Sequence, residues 1–170
     1  IPNKNLRQLS YYFPVASTRS HIDSKPVNYI SNLLGHEGQG SLLSYLKNQG
    51  WADSISAGMG FEDDQQASVK VRIGLTEQGL QNTDGITLAL FQSIALIKQQ
   101  GIQEWRFDEQ AQLAKLKFEF QENGSNIYYV SHLASRLKQL PSNQLLSAPY
   151  QMTDFNPLLI AEYLQALEPN

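Results

Sequence analysis

The chain has 170 residues, of which 41% are hydrophobic and 17% are charged, and this balance predicts a single domain over residues 1–170 with a sizeable apolar core. Its formal net charge is −3 and its Lys and Arg residues are scattered, so we expect no nucleic-acid partner. No apolar run approaches the roughly 18 residues that span a bilayer, so we expect no membrane partner. The absence of cysteine excludes disulfides and thiolate metal ligands.

The first half of the chain predicts a strand, a broken helix and a hairpin. The aromatic-rich "NLRQLSYYFPV" predicts a strand that ends at Pro14. Helical spacing in "SKPVNYISNLL" predicts a helix from about Pro26 that stops at Gly35. A second helix is expected to start at the N-cap Ser41 and to end at Gly50. Strict alternation in "SISAGMGF" and "SVKVRIGL" predicts two half-buried antiparallel strands joined by the polar "EDDQQA".

The second half predicts helices. After "LTEQGLQNTD", a segment that is apolar on most sides, including Leu88 and Ala95, predicts a buried helix that ends at Gly101. Further helices are expected over "QEWRFDEQAQLAKLKFEF", up to a break at "ENGSN", and over "IYYVSHLASRLKQL". "PSNQLL" predicts a short turn, and "FNPLLIAEYLQAL" predicts a last helix with Asn156 as N-cap. Strands followed by helices predict an α+β fold, a mainly antiparallel sheet with helices packed on one face.

A His-Glu pair lies in the glycine-rich break between the first two helices, in "GHEGQGS". Zinc proteases hold their metal through two His and an acid on one helix face, in the motif HExxH or its reverse HxxEH. Gly40 stands where HExxH needs its second His, and the chain contains no Glu-His pair. His21 and His132 have no motif-spaced partner, so we predict neither a metal site nor a cofactor in this chain.

Two other kinds of chemistry are also poorly supported. Backbone N–H groups of the glycines are a potential anion site ahead of a helix, but the spacing fits no phosphate motif and Glu37 adds negative charge. Ser131 and His132 are neighbours on a predicted helix and point in different directions, which excludes a nucleophile and base pair. On the residues alone, the glycines are most simply there for backbone geometry, and we predict no catalytic residue.

The longest motif nevertheless resembles a known family. "NLLGHEGQGSLLSYLKNQGW", followed by "ISAG" and "LTEQGL", resembles the second domain of insulinase and pitrilysin type zinc metallopeptidases, where these motifs occur in the same order. "FQSIALIKQQGIQEWRFDEQAQLAKLKFEF", "YVSHLA" and "FNPLLIAEYLQALEPN" are similar to the corresponding helices, so the resemblance covers nearly the whole chain. Because the chain also begins at Ile1 without a Met, we expect it to be a fragment of a larger protein.

The resemblance implies a division of labour within that larger protein. Four related α+β domains would form a closed chamber, with zinc bound in the first domain and none in this one. The parent is then expected to be a zinc-dependent endopeptidase, and the partners of this chain are the other domains of the same protein and peptide substrates. Relatives in Gram-negative bacteria are often periplasmic, so the resemblance favours the periplasm over the cytoplasm.

The resemblance also implies an exosite, a groove that anchors the N-terminal part of a peptide substrate. A peptide can add as a strand to an exposed sheet edge, and the small residues of "SISAGMG" leave room for it. Glu37 can pair with the α-ammonium of the peptide, and the glycines permit close approach. The expected exosite residues are Gly35, His36, Glu37, Gly38, Gly40, Ser56, Ala57 and Gly58.

Three alternatives stay open. The small residues and Glu37 can serve packing and loop capping alone. The parent can be an inactive scaffold, as among relatives of the processing peptidases, and an HxxEH motif in the preceding sequence would decide against this. A phosphate-binding or small-molecule-binding module would instead be stabilised by a nucleotide but not by a peptide.

Overall fold

The computed structural model describes residues 6–120, 126–137 and 140–169, without the side chains of Asn126, Tyr128 and His132. Apart from Asn126, the predicted break at "ENGSN" lies outside these residues. Helices fill most of the second half of the described chain, after three strands in the first half.

The three strands form one antiparallel sheet. They are β1 (Gln8–Ala16), β2 (Ala52–Glu62) and β3 (Gln66–Leu75), in the spatial order β1-β3-β2. The predicted hairpin is confirmed, because β2 and β3 pair antiparallel with Ala57 opposite Val71. Its turn is held by Asp63, whose Oδ1 accepts from the backbone N–H groups of Gln65 and Gln66 at 2.9 Å each. These two hydrogen bonds also lower the pKa of Asp63.

The end predicted for the first strand is wrong. β1 continues through Pro14 to Ala16, with Pro14 opposite Ser68 of β3. Proline lacks a backbone N–H and is excluded from central strands, but an edge strand tolerates it because only one of its sides is paired. β1 is an edge strand, so here the position in the sheet decides over the local preference of proline.

Seven α-helices and two short 3₁₀ helices make up the rest of the described structure. They are α1 (Pro26–Leu34), α2 (Leu42–Asn48), α3 (Glu77–Leu80), α4 (Thr83–Gln100), α5 (Glu104–Glu119), α6 (Asn126–Arg136), the 3₁₀ helices Ser142–Gln144 and Ala148–Tyr150, and α7 (Pro157–Gln165). The predicted N-caps are confirmed: Ser41 Oγ accepts from Ser44 N at 3.1 Å, and Asn156 Oδ1 accepts from Leu159 N at 3.0 Å. The sequence did not predict α3.

The core lies between one face of the sheet and the helices. In β3 the buried residues Val69, Val71 and Ile73 alternate with the less buried Ser68, Lys70 and Arg72, so only one face of the sheet is covered. Helix α1 contributes Tyr29 and Ile30, and the other helices complete a single cluster of buried apolar residues. The predicted α+β fold, an antiparallel sheet with helices on one face, is confirmed.

Two predicted burial patterns hold only in part. Helix α4 buries one side, including Ile86 and Leu90, but Leu88 is 60% exposed and Ala95 is also exposed, so it is not buried all round. In β2, Ile55 is buried, whereas Phe61 on the same alternation is 57% exposed. The helices cover only the first half of this strand, and the second half emerges from the core.

Candidate functional site

A cleft of about 700 Å³ lies where the middle of β2 meets the end of α1. Residues 55–58 of β2 form one wall, and Gly35, His36 and Glu37 follow directly after α1. The opposite wall comes from α5 and from the segment around the second 3₁₀ helix, through Gln110, Leu113, Ala114, Lys117, Pro149, Tyr150 and Met152. The cleft is thus built by elements that are far apart in the sequence.

Gly35 lies where the end of α1 contacts β2. A Cβ at this position would lie 3.0 Å from Ser31 O, which is tighter than nine in ten real Cβ contacts, and 3.5 Å from Ala57 N, which is an ordinary van der Waals contact. The backbone N–H of Gly35 donates to Ser31 O at 2.8 Å and so closes the helix. A side chain at this position would therefore strain the last turn of α1 at Ser31 O before it displaced Ala57.

The loop after α1 curls back on itself. A Cβ on Gly38 would collide with the imidazole of His36, so this glycine lets the loop fold under that ring. Gly40 has a φ of +80°, a left-handed conformation that favours glycine, and it precedes the N-cap Ser41. Both glycines shape the loop without lining the cleft, and Gly40 instead lines a separate cavity beside α2 and α4.

Six of the eight predicted site residues therefore line one cleft. They are Gly35, His36, Glu37, Ser56, Ala57 and Gly58. Gly58 leaves the most space, because nothing lies within 4 Å of a Cβ built there. The side chains of His36 and Glu37 are exposed at the mouth of the cleft, where Lys117 brings a positive charge from α5.

The edge of β2 beside this cleft is open to hydrogen bonding. β2 is the last strand of the sheet, and β3 pairs with its other side. Among the described residues, the backbone groups of residues 54–60 have no hydrogen bond outside the sheet. An edge strand with unpaired N–H and C=O groups is a template for a further strand.

Two polar atoms in the cleft lining have no partner. Within the described ranges, Ser31 Oγ of α1 and Gln110 Nε2 of α5 are sealed from solvent and form no hydrogen bond. Such atoms are rare, because each costs roughly 1–3 kcal/mol of folding free energy. Both residues line the same cleft, so rotation of either side chain would bring its polar group to a bound molecule.

The described residues contain no cluster of three or more His, Cys, Asp or Glu side chains that could hold a metal ion. His36 and Glu37 are only two candidate ligands, and zinc sites use three or four protein groups. The donor set of the cleft therefore does not fit zinc. In the same described ranges, no helix is long and apolar enough to cross a lipid bilayer.

Sequence reasoning missed the wall formed by α5. The signal was the excess of apolar residues along this helix, of which only Phe107 is buried, while Leu113 and Leu116 are each about half exposed. Exposed apolar side chains in such number indicate a binding surface. The periodicity of the sequence does not say which other element that surface faces. That pairing is set by the long-range path of the chain.

Comparison with known proteins agrees with the fold and with the sequence motifs. Residues 1–113 match the family described as the peptidase M16 inactive domain, and residues 118–170 match the middle or third domain of peptidase M16. The chain is 32% identical over 170 residues to the insulin-degrading enzyme of Drosophila melanogaster, covering 100% of this chain and 17% of that protein. It is 36% identical over 170 residues to the A-factor-processing enzyme of Saccharomyces cerevisiae, covering 99% of this chain and 16% of that protein.

Among solved structures, the chain is similar to the crystal structure of pitrilysin, with a TM-score of 0.89 and 25% identity over 94% of this chain and 17% of that one. The chain therefore spans only a small part of the length of these relatives. The matched domain is described as inactive, in keeping with the poor fit of the cleft to zinc. The chain belongs to the peptidase M16 family and includes its inactive domain.

Proposed function

We propose that this chain is the peptide-anchoring, non-catalytic part of a zinc-dependent metalloendopeptidase. The observation that carries the proposal is the open edge of β2, whose residues 55–58 form a wall of the cleft of about 700 Å³. An extended peptide added at this edge forms main-chain hydrogen bonds that do not depend on its sequence. This suits a protein that must hold many different peptides.

The loop after α1 supports an anchor for the amino terminus of the peptide. Glu37 lies at the mouth of the cleft, where its carboxylate can form a charge-assisted hydrogen bond to an α-ammonium group. Gly58 leaves open space for the backbone of the peptide. Ser31 and Gln110 also line the cleft, and rotation of their side chains would bring the unpartnered Oγ and Nε2 to the peptide.

The catalytic metal and the rest of the chamber would come from other domains of the parent protein. The names of the relatives support a peptidase parent: insulin-degrading enzyme, A-factor-processing enzyme and, in Schizosaccharomyces pombe, putative zinc protease mug138. The anchor would raise the affinity of long peptides, while the scissile bond lies elsewhere. Peptides too short to reach both places would gain nothing from it.

Filling the open space at Gly58 tests the proposal. In the full-length protein, Gly58→Trp is expected to lower kcat/KM for long peptides by about tenfold or more, because the indole ring fills the cleft beside the strand edge, and to leave short peptides almost unchanged. The matched control is Gln66→Trp at an exposed position near the hairpin turn. Equal losses for long and short peptides, or no loss for either, would contradict the anchor.

A further inference from the structure

A second cavity, of about 740 Å³, continues the cleft along β2. The first cavity is lined by residues 55–58 of this strand, and the second is lined by Met59 and Glu62. Asn28 and Pro149 line both. The two cavities therefore form one groove, which follows β2 from the loop after α1 to the hairpin turn.

The far end of this groove is lined by more cationic than anionic side chains. Arg19, Lys25 and Arg136 line the second cavity, against the two carboxylates Glu62 and Asp64. The excess of positive charge contrasts with the first cleft, whose lining has one carboxylate, Glu37, and one ammonium group, Lys117.

Both carboxylates are already engaged with the protein. Glu62 Oε1 accepts from the backbone N–H and from the hydroxyl of Thr18, at 2.6 Å each. Asp64 forms an ion pair with the guanidinium of Arg19. These contacts hold the chain after β1 against the hairpin turn, and Asp64 offsets the charge of Arg19 alone.

Lys25 points its ammonium group at neutral partners. Its Nζ donates to the backbone carbonyl oxygens of Ile22 at 2.7 Å and of Ala148 at 2.8 Å, which leaves one of its three N–H donors for another group. Burial lowers the pKa of Lys25, the charge of the nearby Asp23 raises it, and Arg136 lowers it further. Lys25 and Arg136 therefore lie close enough to repel each other.

Arg136 carries the uncompensated charge. It ends α6, it is partly buried, and its side chain forms no ion pair or hydrogen bond with the described parts of the chain. A guanidinium group in a half-enclosed groove beside a second cation favours an anion between them. The geometry offers a carboxylate two donors, one from each side chain.

We propose that this end of the groove is a second subsite, which binds an aspartate or glutamate side chain of the same peptide that the first cleft anchors. This deepens the proposed function and rests on it. Arg136 supplies the main contact and Lys25 the second. The preferred substrates would then be peptides with a free amino terminus and a carboxylate some residues further along.

The length of the strand gives the spacing between the two charges. From Ala57 to Glu62 the chain advances five residues, or roughly 17 Å at about 3.3 Å per residue. A peptide that begins beside Glu37 and runs parallel to β2 would bring roughly its fifth to seventh residue to Arg136. An acidic residue placed much closer to the amino terminus would not reach the subsite.

The test compares peptides that differ in one charge. In the full-length protein, with a chelator present to stop hydrolysis, fluorescence anisotropy would give the Kd of a 12-residue peptide that carries Glu or Gln at position six. The Glu peptide is expected to bind about threefold to tenfold more tightly, and a Glu at position three should give no such gain. Equal affinity of the Glu and Gln peptides for the wild-type protein would overturn the subsite.

Variants of the protein test whether Arg136 causes the difference in affinity between the Glu and Gln peptides. Arg136→Gln is expected to abolish the difference between the two peptides, and Arg136→Lys to restore part of it. Arg72→Gln removes the same charge from the exposed face of β3 and should leave the difference intact. A difference that persists in Arg136→Gln would overturn the assignment.

A third peptide separates this subsite from the anchor itself. If an N-acetylated peptide and the Gly58→Trp variant both lose binding while Glu and Gln at position six bind alike, the anchor stands and the second subsite fails. If neither change affects binding, the proposed function fails as well.

Discussion

At the scale of single residues, two of the three buried side-chain polar atoms that lack a partner within the described residues belong to the lining of the cleft, and the third is Arg19 Nε. Ser31 Oγ and Gln110 Nε2 come from α1 and α5, and both lie in the lining of the same cavity. A fold selected for stability alone would replace them with apolar side chains, because a buried unpaired polar group costs more than its removal. Their presence is consistent with a site that is completed when a peptide binds.

Replacing Gln110 tests this idea. Gln110→Leu is expected to raise the free energy of unfolding by about 1 kcal/mol, since the unpaired amide is lost, and to weaken peptide binding. Gln112→Leu on the same helix is the control, because Gln112 is exposed, does not line the cleft and should change neither quantity by much. Urea unfolding and peptide titration measure both effects. Loss of stability together with unchanged affinity would contradict the role of Gln110.

Residues that act on their own neighbours could be predicted from the sequence. Ser41 and Asn156 cap their helices through a hydrogen bond to a backbone N–H three residues on, so a short window contains the whole signal. Gly35 and Gly40 look alike in the sequence, yet only Gly35 lies against β2. What separates them is the packing of α1 on the sheet, and no local pattern carries that information.

At the scale of elements, the short helix α3 depends on one glycine. Thr76 caps it by accepting from Gly79 N at 2.9 Å, and the backbone N–H of Thr76 donates to Trp51 O at 3.1 Å. These contacts draw α3 onto the start of β2 so closely that a Cβ at Gly79 would collide with the carbonyl oxygen of Trp51. The helix has only four residues, too few for an apolar period, which is why the sequence did not predict it.

A methyl group at this contact should be costly. Gly79→Ala is expected to lower the free energy of unfolding by about 2–3 kcal/mol, since the rigid backbone of Trp51 must move. Gly58→Ala, where the added Cβ meets nothing within 4 Å, should change it by less than about 0.5 kcal/mol. Chemical denaturation of the two variants makes the comparison. Similar stabilities would mean that α3 moves away from β2 without penalty.

At the scale of the whole molecule, the last helix, α7, packs the region that matches the middle or third domain of peptidase M16 against the region that matches the inactive domain. Ile160 and Leu164 of α7, with Leu167 just after it, belong to the same buried cluster as the residues of the sheet. Tyr163 also donates a hydrogen bond from its hydroxyl to Ser17 O at 2.9 Å, next to the end of β1. We propose that residues 1–170 unfold as one cooperative unit, although two family models match them.

Alkaline pH should weaken this connection. Burial and the charges of Glu162 and Glu62 raise the pKa of Tyr163 above 10.0, and burial also raises that of Tyr11. A raised pKa favours the neutral form in the folded state, so its contribution is complete below pH 10.0 and is lost as the pH rises above that value. Thermal unfolding between pH 8 and pH 11, roughly spanning the ordinary tyrosine pKa, would follow this loss.

A phenylalanine at this position isolates the part due to Tyr163. Tyr163→Phe is expected to lower stability by about 1 kcal/mol at neutral pH, through loss of the hydrogen bond to Ser17 O, and to show a smaller alkaline decline than the wild-type chain. The remaining decline would come from Tyr11. Tyr45→Phe, at an exposed position, is the control. An unchanged alkaline decline in Tyr163→Phe would exclude Tyr163 as its source.

Pro14 makes the two borders of the sheet unequal. A sheet with two receptive borders can join copies of itself in an open-ended chain, and natural proteins discourage this with proline on an outer strand. Here β1 carries the proline, while β2 presents small residues and unengaged backbone groups. Because β1 resists a further strand, molecules cannot pair edge to edge in an open-ended row. The edge of β2 then remains available to a single bound peptide.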